Sequence, residues 1–371
     1  MGKWTNLSYA NVATTSPIAH RIATKWADSL ASGGAAEFDG EAEEGAMLPL
    51  RKAASELLSC RRGDVCVGSS ATELLCSLAW AISPPSGTNI VSTQASFPST
   101  VYPWARVAEA RGAEIRLAEH DDQLYTDPED ILSLIDEETA VVTLSHVEFS
   151  TGQRYDLGTF SEAAHSVGAL LIVDATQSMG MLPIDAYRCG ADAIVSSGYK
   201  WLRGTYGAAV GYISPSIVSE MNPGLVGFRS HSNLWDLRAD RLELPEDASR
   251  FEFTTLHFGA ALGLAAAIEE LNDIGMEEVW SHNLRLADLV IAAASEIGVE
   301  VASPLSEMER SAIVSLILPK GVSSAVLARR LQDEYSILVT SRSGLLRVSP
   351  HIDNDEGEIA SFSAALKALI S

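Results

Sequence analysis

Cysteine and positive charge are both scarce in this chain. Its 371 residues include four cysteines, none in a CxxC or other paired spacing, so we predict neither a metal site nor a disulfide framework. Lysine and arginine number 26 against 49 acidic residues, which gives a net charge of −23. This balance argues against nucleic acid or a membrane surface as a partner, because both attract clustered cations. The four cysteines are Cys60, Cys66, Cys76 and Cys189.

Long apolar runs are also missing. The first residues, MGKWTNLSYAN, do not have the apolar core of a signal peptide, and no later stretch is long enough to span a bilayer. We therefore expect a cytoplasmic protein in a reducing compartment. The composition is 47% hydrophobic and 20% charged, which is typical of a folded protein, and the length suits two domains.

Short hydrophobic runs alternate with helical patterns between about residues 48 and 215. The runs are continuous, which is typical of strands covered on both faces, so we predict an α/β domain with a mostly parallel sheet. The predicted strands are 65–67, 89–91, 141–144, 170–174 and 193–195, and the helical stretches between them include 71–80 and 157–167.

The pattern changes after residue 251. Long helical patterns at 260–273 and 276–297 are followed by strand-like runs at 311–318, 337–340 and 345–349, with helices at 323–335 and 356–370. We predict a large cofactor-binding α/β domain over residues 18–250, and a small α+β domain made of residues 1–17 and 251–371.

Side chains that could bind a ligand or react with it lie at the ends of three of the predicted strands. Gly68, Ser69 and Ser70 precede a helix, where N–H groups, hydroxyls and the positive helix end could hold a phosphate. An ordinary helix cap explains these serines equally well when they are taken alone. Asp174 ends one buried strand and Lys200 follows another. In open α/β sheets, ligands bind at this edge.

The three features together fit pyridoxal 5'-phosphate. This cofactor requires a clamp for its phosphate, a carboxylate that keeps its ring nitrogen protonated, and an amine that forms a Schiff base. Desolvation would lower the pKa of Lys200 and make its amine a nucleophile. We therefore predict an enzyme that uses this cofactor.

The stretch SHVEFSTGQRYDLGTFSEAAHSVGALLIVDATQSMGMLPIDAYRCGADAIVSSGYKWL resembles the class V aminotransferase family of fold type I pyridoxal phosphate enzymes. That family includes cysteine desulfurases, selenocysteine lyase, kynureninase and isopenicillin N epimerase. NVATTSP and GLLRVSPHIDND resemble its opening and closing motifs, so the resemblance covers nearly the whole chain. It implies a large domain with a mostly parallel seven-stranded sheet between helices and a smaller α+β C-terminal domain.

The resemblance also implies roles for single residues. Lys200 would form the internal aldimine and later shuttle the α-proton of the substrate. Asp174 would pair with the pyridine nitrogen, and Gln177 would donate to the phenolic oxygen of the ring. The positions that match phosphate-holding residues are Ser69, Ser70, Ser197 and Tyr199.

Further positions match residues that act on the substrate or across subunits. Thr255 matches a threonine that reaches the phosphate of the other subunit, which implies a homodimer with composite active sites. Arg347 matches the arginine that grips the substrate α-carboxylate, a bidentate task that lysine performs poorly. Phe97 falls where desulfurases carry a histidine that stacks on the ring. Phe149 falls where many members have an asparagine, and Glu148 beside it is a candidate substitute.

The family's cysteine desulfurases also carry a cysteine between the last two strands, and this chain has Ser341, Arg342, Ser343 and Gly344 there. We therefore expect that it is not a persulfide-forming desulfurase. The predicted reaction is β-elimination of the C–S lyase type, through an external aldimine and a quinonoid, on a cysteine-derived or other β-substituted amino acid. An aminotransferase, an epimerase or a decarboxylating oxidative deaminase is the alternative.

Overall fold

The computed structural model describes residues 4–34, 36 and 38–370. The strands within these residues are β1 (Thr5–Asn6), β2 (Val65–Gly68), β3 (Asn89–Thr93), β4 (Glu114–Ala118), β5 (Thr139–Ser145), β6 (Leu170–Asp174), β7 (Ala193–Ser197), β8 (Ala209–Ile213), β9 (Glu300–Val301), β10 (Val314–Ile317), β11 (Ile337–Leu338), β12 (Thr340–Arg342) and β13 (Leu345–Val348).

The helices of the described residues surround and connect these strands. They are α1 (Pro17–Gly33), α2 (Gly40–Gly45), α3 (Leu48–Leu57), α4 (Ala71–Ile82), α5 (Pro98–Arg111), α6 (Pro128–Leu132), α7 (Leu157–Ser166), α8 (Phe258–Ile274), α9 (Met276–Glu296), α10 (Ser324–Tyr335) and α11 (Glu356–Ile370). None of the helices in the described part of the chain combines the length and apolarity needed to cross a membrane.

Seven strands form the large sheet, in the order β2-β8-β7-β6-β5-β3-β4. Strand β8 runs antiparallel to both of its neighbours, and the remaining neighbours are parallel. Every residue of β3, β7 and β8 is buried, as expected for strands covered by helices on both faces. The predicted α/β class and mostly parallel seven-stranded sheet are confirmed.

A smaller sheet lies towards the end of the chain. It is antiparallel, in the order β12-β13-β10-β9, and a separate parallel pair joins β1 to β11. The start of the chain therefore pairs with its last third, and the assignment of residues 1–17 to the small domain stays a prediction. Residues 1–3 and 371 of that predicted domain, and residues 35 and 37 of the predicted large domain, lie outside the described residues.

The hydrophobic core of the large sheet extends past residue 251. Helix α8 contributes Leu264 and Ile268 to the same core as Leu50 of α3 and Val173 of the large sheet. The core of the small sheet starts later, with buried residues of α9, α10 and α11. The domain boundary at residue 250 stays a prediction.

Candidate active site

A narrow cavity lies at the carboxyl edge of the large sheet, where β5, β6 and β7 end side by side. The register pairs Ser145 with Asp174 and Asp174 with Val195, so residues after parallel strands meet at one edge. The predicted site residues that line the cavity are Phe97, Phe149, Asp174, Gln177, Ser197, Tyr199 and Lys200.

Lys200 lies in the turn that follows β7, and its side chain is buried. Its Nζ is 5.6 Å from the ring centroid of Phe97 and 5.9 Å from that of Tyr199. Burial lowers the pKa of Lys200 to about 8; the Asp174 carboxylate opposes this change and the Arg347 guanidinium adds to it. An amine in this state is a usable nucleophile near neutral pH.

Asp174 is held in place at the end of β6. The Thr100 hydroxyl donates to Oδ2 at 3.2 Å, and the backbone N–H of Thr176 donates to Oδ1 at 2.9 Å. A carboxylate has about four lone-pair positions, so these two bonds fix its orientation and leave capacity for a further donor. This arrangement fits the protonated nitrogen of a pyridine ring.

The Gln177 side chain already makes two hydrogen bonds. Its Nε2 donates to the carbonyl of Ala10 and its Oε1 accepts from the indole of Trp201, both at 2.9 Å. The indole can only donate, which sets the orientation of the amide, and the second N–H of Nε2 is left for a ligand. Donation from Gln177 to a ring oxygen remains a prediction that this geometry permits.

Ser69 and Ser70 are not among the residues that line the cavity. The Ser70 hydroxyl accepts from the backbone N–H of Glu73 at 3.2 Å and so caps α4, while the Ser69 hydroxyl donates to the Glu73 carboxylate at 2.5 Å. Both side chains therefore serve the first turn of their own helix. Their role as phosphate ligands stays a prediction.

The start of α4 meets the cavity through other residues. Ala71 and Thr72 line it, together with Ser99, and the hydroxyls of Thr72 and Ser99 are 2.9 Å apart. The Ser197 hydroxyl accepts from the backbone N–H of Ala71 at 3.1 Å, which ties β7 to this helix. Thr72 and Ser99 are not among the site residues predicted from the sequence. The signal for Thr72 was its position in the first turn of a helix that begins beside the cavity.

Tyr199 lines the cavity, whereas Thr255 lies outside it. The ring of Tyr199 stacks on Tyr206, with centroids 4.5 Å apart and planes inclined by 26°. Thr255 is exposed and is not among the lining residues. Its predicted contact with the phosphate of a second subunit therefore remains a prediction.

Arg347 occupies β13 and is 1% exposed. Its Nη1 donates to the carbonyl oxygen of Phe149, whereas Nε and Nη2 are buried without a partner. Burial lowers the pKa of Arg347 to about 9, with a contribution from the Arg342 charge. Buried donors without acceptors are costly, and a carboxylate is the bidentate acceptor that suits a guanidinium. Arg347 thus fits the α-carboxylate of an amino acid.

Two phenylalanines form an aromatic wall beside Lys200. The rings of Phe97 and Phe149 meet edge to face, with centroids 5.3 Å apart and an interplanar angle of 77°. Phe97 is 41% exposed and therefore lies towards the mouth. An aromatic face at this position can stack on a flat ring.

Glu148 lies behind this wall and does not line the cavity. It is fully buried, its Oε1 accepts from the Ser96 hydroxyl at 3.0 Å, and its Oε2 has no partner. Burial, with a smaller contribution from the Asp174 charge, raises the pKa of Glu148 to about 8. The side chain therefore supports the segment that carries Phe97 and does not replace an asparagine inside the cavity.

All four cysteines belong to the described residues, and none lines the cavity. Cys66 is fully buried and the other three are partly buried. Burial raises the pKa of each thiol, which disfavours the reactive thiolate.

Curated relatives match this chain over much of its length. A probable cysteine desulfurase of Methanothermobacter thermautotrophicus is 31% identical over 215 residues, which cover 58% of this chain and 53% of the relative. A probable cysteine desulfurase of Pyrococcus abyssi is 27% identical over 297 residues, which cover 76% of this chain and 73% of the relative. The chain thus matches about half the length of the first relative and about three quarters of the second.

Solved structures share the fold. The apo cysteine desulfurase of Thermococcus onnurineus NA1 has a TM-score of 0.87 at 23% identity, covering 99% of this chain and 94% of that one. The cystine C–S lyase C-DES in complex with its reaction product cysteine persulfide has a TM-score of 0.89 at 21% identity, covering 99% and 98%.

These comparisons overturn one prediction. We expected β-elimination and excluded a persulfide-forming desulfurase, because the loop of Ser341 to Gly344 carries no cysteine. The relatives are named cysteine desulfurases or probable cysteine desulfurases, which contradicts that exclusion. The physical error was to treat a thiol of the enzyme as necessary, since a thiol from solution can also accept sulfur.

A family model described as aminotransferase class-V matches residues 20–357, which is most of the chain. This match confirms the predicted family, the prediction of an enzyme and the predicted pyridoxal phosphate cofactor, for which Lys200, Asp174 and the start of α4 offer fitting groups. The chain belongs to the class V aminotransferase family.

Proposed function

We propose that this chain removes the sulfur atom of L-cysteine and passes it to a thiol as a persulfide, leaving alanine. The observation that carries the proposal is the buried guanidinium of Arg347, whose Nε and Nη2 have no partner and whose charge acts on Lys200. Such a group favours a substrate with an α-carboxylate, and the names of the relatives favour cysteine.

Each side chain has a defined task in this proposal. Arg347 holds the α-carboxylate, so that the bond from Cα to hydrogen faces Lys200. The Lys200 amine, with its lowered pKa, takes the α-proton onto Nζ and returns it. Asp174 keeps the proton on the ring nitrogen of pyridoxal phosphate, which when bound draws electrons away from the α-carbon of the amino acid.

The sulfur acceptor in this proposal comes from outside the chain. None of the four cysteines lines the cavity, so no thiol of the chain is positioned to attack the cysteine sulfur. Overall, the bond between Cβ and sulfur breaks, a sulfur–sulfur bond forms, and the proton of the acceptor thiol ends on Cβ. The acceptor sulfur is oxidised as Cβ is reduced, so the reaction balances without another reagent.

We also propose a homodimer in which Thr255 of one subunit reaches the phosphate site of the other. The support is the exposure of Thr255 and of the apolar side chains on residues 226–242. A monomer rarely exposes an apolar surface of this kind.

The test is to incubate the purified enzyme, loaded with pyridoxal phosphate, with L-cysteine and dithiothreitol, and to measure alanine and sulfide. We expect the two products in equal amounts, and a loss of both in Lys200→Ala. Lys320→Ala, which changes an exposed lysine, is the matched control and should retain the activity. Pyruvate in place of alanine would contradict the proposal, as would the absence of any product.

A further inference from the structure

A second arginine lies beside Arg347 without a carboxylate partner. In the antiparallel pair of β12 and β13, Thr340 lies opposite Arg347 and Arg342 lies opposite Leu345. Side chains two residues apart on a strand point to the same face, so Arg342 and Arg347 are diagonal neighbours on one face. Such neighbours are roughly 7–8 Å apart. Neither has an ion pair with a carboxylate of the described residues.

Arg342 is positioned by a neutral group. Its Nη2 donates to the side-chain oxygen of Asn11 at 2.7 Å, and its side chain is partly buried. An amide oxygen orients a guanidinium but does not neutralise its charge. The charge of Arg342 acts on the active site, where it helps to lower the pKa values of Lys200 and Arg347.

Arg342 also lines a groove of about 1030 Å³ whose walls come from the start of the chain, α10 and β12. The segment 11–13 forms part of its wall, and the backbone N–H of Ala13 donates to the carbonyl of Tyr199 at 3.1 Å. One short segment therefore borders the groove and contacts a residue that lines the cavity. The carboxylate of Asp333, also in the groove, pairs with Arg329 and so does not compensate Arg342.

We propose that Arg342 binds the carboxylate of the thiol that accepts sulfur, so that the preferred acceptor is a small thiol with a carboxylate group. This inference rests on the proposed function, because it needs an acceptor from outside the chain. Arg347 takes the α-carboxylate of cysteine, and Arg342 takes that of the acceptor, which enters through the groove. In a molecule with a net charge of −23, two uncompensated arginines mark where anions are drawn in.

The test is a competition between two thiols in one reaction. The holoenzyme is given L-cysteine with equal concentrations of 3-mercaptopropionate and neutral 2-mercaptoethanol, and the reaction is stopped early with iodoacetamide. Mass spectrometry then gives the ratio of the two alkylated persulfides. We expect this ratio to fall about tenfold in Arg342→Gln, which corresponds to about 1.4 kcal/mol of lost acceptor binding.

Lys320→Gln is the matched control, because it removes an exposed positive charge while leaving Arg342 and the pair of Arg329 with Asp333 intact, and it should leave the ratio unchanged. If the wild type and Arg342→Gln gave the same ratio, the inference would be overturned. Alanine formed in the same reaction would still support the proposed function. If neither persulfide nor alanine appeared, both would fall. A second readout is inhibition by 3-(methylthio)propionate, which has the carboxylate but no thiol. Its inhibition constant should rise about tenfold in Arg342→Gln, and an unchanged constant would also contradict the inference.

Discussion

Burial determines the reactivity of Lys200. An amine that is surrounded by rings and by the Arg347 charge loses solvation of its cationic form, so the neutral form is present at a lower pH than usual. Three predictions follow from this at the level of single residues.

The first prediction concerns the covalent attachment of pyridoxal phosphate to the apoenzyme. Because only the neutral amine attacks the aldehyde, the rate constant should rise with pH and be half-maximal near pH 8, the lowered pKa of Lys200. Absorbance spectroscopy gives the rate, and borohydride reduction followed by mass spectrometry locates the adduct. A rate that continued to rise to the pH of an ordinary lysine, or an adduct on another lysine, would contradict the prediction.

The second prediction separates the charge of Arg347 from its shape. Arg347→Lys keeps a cation but loses the fork that binds a carboxylate through two parallel hydrogen bonds. We expect the KM for cysteine to rise about thirtyfold, which corresponds to about 2 kcal/mol. Steady-state kinetics measures this change, and Arg188→Lys at an exposed position should leave KM as it is. A KM within twofold of the wild-type value would show that Arg347 does not bind the substrate carboxylate through two hydrogen bonds.

The third prediction concerns the buried carboxyl group of Glu148. Its folded pKa of about 8 exceeds the ordinary value of 4.5, so the native state keeps a proton that the unfolded chain releases. The free energy of unfolding should therefore fall as pH rises from about 4.5 to 8, and Glu148→Gln should remove this part of the pH dependence.

Glu148→Ala is the contrasting variant. It leaves the Ser96 hydroxyl without its acceptor and opens a cavity, so we expect a loss of about 2 to 4 kcal/mol in unfolding free energy. Denaturant titrations at several pH values measure both effects. Glu119→Ala at the surface should change neither quantity, and a parallel pH profile for Glu148→Gln and the wild type would disprove a buried neutral carboxyl.

The positions of Lys200, Asp174 and Arg347 in the fold could be predicted because each follows, ends or occupies a hydrophobic strand, and their roles stay predictions. The sequence alone does not distinguish the serines before α4 from Thr72 as candidates for holding a phosphate. A serine hydroxyl at a helix start can serve either the helix or a ligand, and the choice depends on where Glu73 points. The orientation of the Glu73 side chain is determined by tertiary packing, which cannot be predicted from the local sequence.

At the level of elements, the turn between β7 and Lys200 depends on its contact with α8. A Cβ added at Gly198 would lie 2.5 Å from Cδ2 of Leu264 and 2.9 Å from the carbonyl oxygen of Ala208. The backbone oxygen cannot move aside cheaply, so a larger residue at position 198 must displace the turn that carries the reactive amine.

We therefore predict that Gly198→Ala weakens both the fold and the binding of pyridoxal phosphate. Overpacking of this kind costs about 1 to 3 kcal/mol, to be measured by thermal or denaturant unfolding together with a cofactor titration. Gly158→Ala is the control, since its added Cβ would be 3.5 Å from its nearest neighbour. Full stability and cofactor affinity in Gly198→Ala would show that the turn is not constrained by α8.

The bounds of β6 and α11 match the predicted runs, because β6 is a continuous and mostly buried strand, whereas the buried residues of α11 recur along one face of the helix. The pattern missed β4, whose residues are mostly only partly buried, because an edge strand needs no continuous apolar run. It also missed α5, in which Pro98 and Pro103 weaken the helical signal. The strand β8 was missed as well; its interior glycine, Gly211, lies close to Cys66.

At the level of the whole molecule, the exposed apolar side chains on residues 226–242 are candidates for burial in an interface between subunits. Val226 is 53% exposed, Leu237 69% and Leu242 54%, and they line a shared surface depression with Phe228. We predict a homodimer whose mass is about twice 39.6 kDa, and a shift to monomer in Leu237→Asp.

Light scattering after size-exclusion chromatography measures the mass. Leu305→Asp is the control, because that leucine is 57% exposed and lies outside residues 226–242, so this variant should keep the mass of the wild type. A wild-type monomer, or a Leu237→Asp dimer, would contradict the proposed interface.

Trp201 follows Lys200 directly, is fully buried, and donates its indole N–H to Gln177, which lines the cavity. Its fluorescence therefore originates beside the position where a yellow chromophore would be attached. Transfer of excitation energy falls off steeply with distance, so this indole should lose its emission when pyridoxal phosphate occupies the site. The fluorescence of Trp201 should therefore report how much of the site is occupied by pyridoxal phosphate, without an added label.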